Sequence, residues 1–280
     1  MYCDTSIIAE ELERRFPASA GYGPSFPQPI SEAGSRLMMT SFDALSNKGF
    51  ATAVALLPEQ VLANEKFAKD REFFSGRKFT AEAFKKGQPI ALTQLRAQLS
   101  YINEQVQSHK GQKFLLGNSD APSYADVAMW FPIAFTMMLH GRAKSGPVKE
   151  VISDVKTYPY ALGWFKLVND RFAEDKKKAG WKHPIAPKRV DAKEAAEFIK
   201  SAPKVAVTFD EQDPMVAIGW AKKGAKVNCT PTDSGKVPQE GTLVGLSTSS
   251  ATLEVASSGV HVHFPRIDFI ITPAGKGSRL

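Results

Sequence analysis

The chain has 280 residues, of which 43% are apolar and 23% charged, proportions that suit a globular protein able to bury a sizeable core. A net charge of +7 and a pI near 9.3 invite a nucleic-acid reading. The charge is scattered, however: the densest run, Asp175-Lys176-Lys177-Lys178, stands among Glu174, Asp191, Glu194 and Glu197, with no alternation of aromatic and basic residues for base stacking, so a solvated face and no nucleic-acid partner are expected.

No basic region leads into an apolar one at the N-terminus, so no secretory signal is visible and the chain is expected not to be secreted. Cys3 and Cys229 are then expected to be free thiols, and the Asn228-Cys229-Thr230 sequon carries little weight. Asp4, Thr5 and Ser6 are good N-cap types at the head of a helix that runs to Arg15 and is stopped by Pro17. Gly21, Gly23, Pro24, Pro27 and Pro29 make a turn-rich linker.

From Ser31 to about Ala173 the period is helical, which predicts a bundle of five or six helices joined by short links. Leu92, Leu95, Leu99, Ile102 and Val106 form one apolar stripe after Pro89, and Leu162, Phe165, Val168 and Phe172 form another after Pro159. Pro58, Pro89 and Pro147 are each expected in a first helical turn, where proline is tolerated. Val127 to Leu139 is too short to cross a bilayer, contains Pro132 and is followed by His140 and Arg142; it reads as a buried helix and not as a membrane span.

A short helix around Asp191 to Ser201 leads into a different pattern. Lys226 to Thr230, Thr242 to Leu246, Ala251 to Val255, Val260 to Phe264 and Ile267 to Ile271 read as five strands separated by Ser, Gly and Pro turns. They predict a small barrel or curled sheet. His261 and His263 share one face of their strand, a pairing that metals use, but no third ligand is apparent, so an outward polar edge and no metal are expected.

Phe114-Leu115-Leu116-Gly117 precedes Pro122-Ser123-Tyr124-Ala125-Asp126, in which Ser123 and Asp126 form a structural capping box with Asp in the usual Glu position. In that setting LLGN followed by PSYADVAMWFP resembles the middle of the helical domain of glutathione transferases. CDTSIIAEELERRFP resembles the last strand and third helix of that family's thioredoxin-like domain, and Tyr158-Pro159 with Trp164 resembles a later landmark. These three motifs account for roughly residues 1–175. Similar helical domains with a β-rich tail ending in an HFPR-like sequence resemble a fungal group.

The resemblance implies a mainly α fold, with a remnant of the thioredoxin-like domain at 1–20 and a transferase-type helical bundle at 29–190; the β-rich tail is not part of the ordinary family fold, and the strand pattern adds a small five-stranded β module at 203–273 and a flexible tail at 274–280. It implies glutathione as co-substrate, with Asp4 and Thr5 matching the pair that holds the γ-glutamyl carboxylate. A hydroxyl and free amides at a helix N-terminus suit an anion, although either residue can equally be a plain cap. Met38, Phe42 and Leu45 would line a pocket for an apolar electrophile, although a stripe of this kind ordinarily belongs to a core.

By position the family's thiolate-activating group would lie upstream of Met1, so the resemblance implies either a longer parent protein or a short form without that group. Cys3 is placed wrongly to replace it. Transfer of the glutathione thiolate to an electrophile, or glutathione-dependent reduction, is the implied activity. The alternative is a non-catalytic binding or scaffold protein using the bundle and the β module. Ser278-Arg279-Leu280 is a variant of the Ser-Lys-Leu peroxisomal address, which predicts an import receptor as partner and a peroxisomal location; the alternative is an accidental tail and a cytoplasmic location. A homodimer is a further expected partner state.

Overall fold

The computed structural model describes residues 1–21, 32–108, 113–116, 121–178, 190–233 and 235–275. In chain order the helices are α1 (Thr5–Arg15), α2 (Glu32–Ala55), α3 (Glu59–Leu62), α4 (Glu65–Ser75), α5 (Ala81–Ser108), α6 (Tyr124–His140), α7 (Pro147–Ile152), α8 (Pro159–Lys178), α9 (Ala192–Ser201) and α10 (Pro214–Ala217). The strands β1 (Lys226–Pro231), β2 (Gln239–Leu246), β3 (Ser250–Val255), β4 (Val260–Pro265) and β5 (Phe269–Pro273) follow. Two compact units form, one from Arg15–Glu72 and Arg77–Ile185, the other from Met1–Arg14, Phe73–Gly76 and Ala186–Leu280.

The first unit is the helical bundle. It contains α2 to α8 among the described residues, more than the five or six helices expected, because α3 and α7 are single short turns set off by Pro58 and Pro147. Its core joins Leu95, Leu99 and Ile102 of α5 to Ile133 of α6, Val148 and Ile152 of α7, and Trp164 and Val168 of α8. The expected α8 stripe is turned on its axis: Ala161 and Trp164 are buried with Val168, whereas Leu162, Phe165 and Phe172 pack only partly against the core.

Two other expectations are corrected here. Pro89 lies inside α5, not in its first turn, because Thr80 caps the helix nine residues earlier with Oγ1 3.3 Å from the Ala83 amide. The helix runs through the missing N–H, and the Thr93 hydroxyl donates to the Pro89 carbonyl at 3.0 Å. Likewise α6 is not buried all round. Pro132, Ile133 and Thr136 face inward, but Val127, Phe131 and Met138 are exposed.

Gly49 of α2 fixes how closely α2 and α6 cross, since a Cβ at that position would meet Pro132 Cγ at 2.9 Å. Gly49→Val is therefore expected to destabilise the bundle by about 2–3 kcal/mol through overpacking. Urea denaturation of the full chain checks this, and an unchanged midpoint would refute the tight crossing. One turn further along α2, buried Thr52 pins α5: Gln98 Nε2 donates to its hydroxyl at 3.1 Å, and Gln94 Oε1 lies 3.2 Å from the same oxygen.

The second unit holds an antiparallel sheet in the order β4-β3-β2-β1-β5, a meander whose last strand returns beside the first. Alternation places Val227 and Cys229 of β1 in the core with Leu243, Leu253, Phe264 and Ile271. A register shift between Leu243 and Gly245 interrupts the β2–β3 ladder. β5 falls later than expected, because Arg266 to Asp268 form the turn that leads into it.

The outward polar edge expected for His261 and His263 is also corrected. His263 is 6% exposed: the Tyr2 ring stacks on it with centroids 4.7 Å apart, and its Nδ1 lies 2.8 Å from Thr252 Oγ1 on β3. The cover comes from Met1–Cys3, which pairs with β4 in parallel register. No pattern within β4 alone could reveal a neighbour supplied from the other end of the chain.

Candidate functional site

Asp4 stands at the head of α1 with φ at 82°, in the left-handed region that Asp tolerates better than most residues. Its Oδ1 accepts from the Ser6 amide and the Ser6 hydroxyl, both at 3.0 Å, and its carbonyl accepts from the Ile8 amide at 3.3 Å. Asp4 is thus a helix cap, and its carboxylate already lies at the positive end of the helix. Thr5 is exposed beside it, and the first turn of α1 contains no acidic residue.

Cys3 is half-buried, and burial together with the charge of Asp4 raises its thiol above the ordinary range. Burial pushes the Cys229 thiol up to about 12. Neither sulfur is poised as a thiolate nucleophile.

Met38, Phe42 and Leu45 share one face of α2 at helical spacing, as expected. Met38 and Phe42 are half-buried and Leu45 is 48% exposed, while Met39 points into the bundle. The stripe therefore lies on the outer side of its unit. Asp4 and Thr5 belong to the sheet-containing unit and the stripe belongs to the helical one. Close to the stripe, Tyr124 Oη donates to Asp43 Oδ1 and ties α6 to α2, a pair that sequence reasoning missed.

Ser123 and Asp126 meet as expected, closing the capping box of α6. Asp126 does more than cap, however. Fully buried, it accepts from the Ser123 amide at 2.8 Å, the Ser123 hydroxyl at 2.7 Å, the Leu115 amide at 2.9 Å and Trp164 Nε1 at 2.8 Å. One carboxylate thus joins the loop before α6, α6 itself and α8. Its role is architectural, and it holds the bundle that presents the α2 face.

Among the described residues no group of three or more His, Cys, Asp or Glu is arranged to hold a metal ion, and no helix is long and apolar enough to cross a membrane. Ser278, Arg279 and Leu280 lie outside the described residues.

A family model described as a domain of unknown function, DUF7962, matches residues 52–179, the greater part of the bundle. No curated protein matches the chain. Among solved structures, a GST-like protein from Pseudomonas syringae is 25% identical to it. The match covers 96% of this chain and 77% of that one, with a TM-score of 0.55. Because it extends over nearly the whole chain, both the helical unit and the β-rich tail fall within it: the chain has a GST-like fold, a helical bundle followed by a small five-stranded antiparallel module.

Proposed function

We propose that this protein binds glutathione at the N-terminus of α1 and acts in transfer of its thiolate to an apolar electrophile, or in glutathione-dependent reduction. The observation that carries the reading is the likeness to a GST-like protein across 96% of the chain. The local chemistry is compatible with it. The γ-glutamyl end of glutathione carries a carboxylate and an ammonium on one carbon; the exposed Thr5 hydroxyl suits the first, and the Asp4 carboxylate suits the second. Met38, Phe42 and Leu45 form an adaptable apolar face of the helical unit.

In the same reading Ser278-Arg279-Leu280 is the signal for a peroxisomal import receptor, and the working state includes a homodimer. The test is calorimetric titration of the full chain with glutathione and with S-hexylglutathione. Saturable binding that falls about tenfold in Thr5→Val, and that is tighter for the hexyl derivative, supports the proposal. Absence of binding to a folded chain overturns it and leaves the non-catalytic scaffold reading.

A further inference from the structure

Within the helical unit, α5 turns Ala91, Leu95, Leu99 and Ile102 into the core. On its opposite side, helical spacing aligns Lys86, Ile90 and Tyr101 in one row and Lys85, Pro89 and Arg96 in the next. All six are exposed, Ile90 to 67% and Tyr101 to 68%. From Ala83 to Asn103 the helix carries no acidic residue. The face runs for about 24 Å at the helical rise of roughly 1.5 Å per residue.

Nothing local accounts for these charges. Among the described residues no carboxylate pairs with Lys85, Lys86 or Arg96, and Arg96 lies only within electrostatic reach of Asp154. Lys85 and Lys86 stand in the N-terminal half of α5, toward the positive end of its dipole. Lys176, Lys177 and Lys178 differ, because they occupy the last turn of α8, where the negative end of the dipole favours cations. Exposed apolar residues that stand singly are ordinary, but Ile90 and Tyr101 share a helix face with cations.

We propose that this face of α5 docks on the surface of a bilayer that contains anionic lipid, with the helix axis parallel to the membrane plane. Charge complementarity selects the partner: three cations and no acid meet a negative leaflet. The lysine stems lie along the headgroups while Ile90 reaches the acyl boundary. Tyr101 suits the same depth, since its ring is apolar and its tip polar. The face is the ridge of one helix and not a groove, and mobile headgroups conform to a ridge without a complementary pocket. The helix rests on the membrane and does not cross it, as no helix among the described residues is long and apolar enough to do so. Each cation held at such a surface strengthens binding about fivefold, and salt weakens the attraction.

Cosedimentation of the full chain with vesicles tests this, comparing phosphatidylcholine alone with phosphatidylcholine containing about 30% phosphatidylserine. The chain should pellet with the anionic vesicles at about 0.1 M salt and much less at about 1 M. Lys85→Gln with Lys86→Gln should weaken binding about twenty-five-fold, and Ile90→Ser about fivefold. Lys176→Gln with Lys177→Gln and Lys178→Gln removes more charge yet should change binding less than about twofold, because those residues lie off the face. Thermal unfolding midpoints show that the exposed substitutions leave the fold intact.

No pelleting with anionic vesicles, equal pelleting with neutral ones, or an α8 variant as damaging as the α5 double variant overturns the proposal. A DNA duplex that binds more tightly than the vesicles through Lys85 and Lys86 overturns it in favour of nucleic acid. Self-association that Ile90→Ser abolishes overturns it in favour of a second copy of the chain.

Discussion

Replacing Asp126 with alanine is expected to destabilise the helical unit by about 3–5 kcal/mol, the cost of removing a buried acceptor that four donors share. The reasoning rests on what the substitution strands. The amides of Leu115 and Ser123 and the indole N–H of Trp164 are buried and donate to this side chain, and water cannot replace it at a site with no exposure. Such a loss is a large fraction of the 5–15 kcal/mol that holds a typical domain together.

Asp126→Asn keeps the shape but turns one acceptor into a donor, so it should cost about 2–3 kcal/mol. Trp164→Phe removes one donor and should cost less than either, about 1–2 kcal/mol, because the carboxylate keeps its other three partners. Guanidinium unfolding followed by far-UV circular dichroism gives the order Ala, Asn, Phe. If Asp126→Ala unfolded within 1 kcal/mol of wild type, the carboxylate would not be the joint described here.

Much of this joint was legible in advance. Ser-x-x-Asp before a long apolar run announces a capping box, because the first turn of a helix needs acceptors for its free amides and a negative charge suits its dipole. The α5 stripe was legible for a similar reason: Leu95, Leu99 and Ile102 repeat at the spacing of one helix face. What stayed hidden was set by partners distant in sequence. Nothing near Asp126 says that Trp164, on α8, supplies the fourth donor, and nothing near His263 says that Tyr2 will cover it.

The same limit explains α5 and α6. Pro89 looked like a helix start because proline is poor inside a helix, but the bonds available from Ala81 onward outweigh one missing N–H. Hydrophobicity alone made α6 look buried, yet a bundle leaves one face of most helices outward, and Val127, Phe131 and Met138 occupy it. The Asp4 and Thr5 pair was legible as a helix head and stands as one; its service to glutathione is a matter for titration.

Arg266→Met is expected to be the most damaging single change in the sheet-containing unit. Arg266 Nη1 donates to Asp213 Oδ2 at 2.6 Å and to the Ser247 carbonyl at 3.2 Å, and Nη2 reaches Asp213 Oδ1 at 3.3 Å. Asp213 is 6% exposed and also accepts from the Met215 amide at 2.9 Å, capping α10. The pair thereby fastens the turn before α10 and the β2–β3 loop to the residue that follows β4. Removing the guanidinium leaves a buried carboxylate without its cation, at a cost of about 3–5 kcal/mol. Asp213→Asn with Arg266→Met should recover part of that loss, since no isolated charge then remains.

The pH dependence separates this pair from simple packing. Burial alone would push the Asp213 carboxyl up, but the bonds from Arg266 and the Met215 amide outweigh it and hold the group below its ordinary value. Its stabilisation is therefore complete above the unfolded value of about 3.9 and is lost as pH falls from there through the lower folded value. Unfolding free energies of wild type at pH 5 and pH 3 should differ by more than those of Asp213→Asn. If the two proteins lose stability in parallel over that interval, the carboxylate is not the group that couples this joint to protons, and the cost of Arg266→Met would have to come from its aliphatic stem.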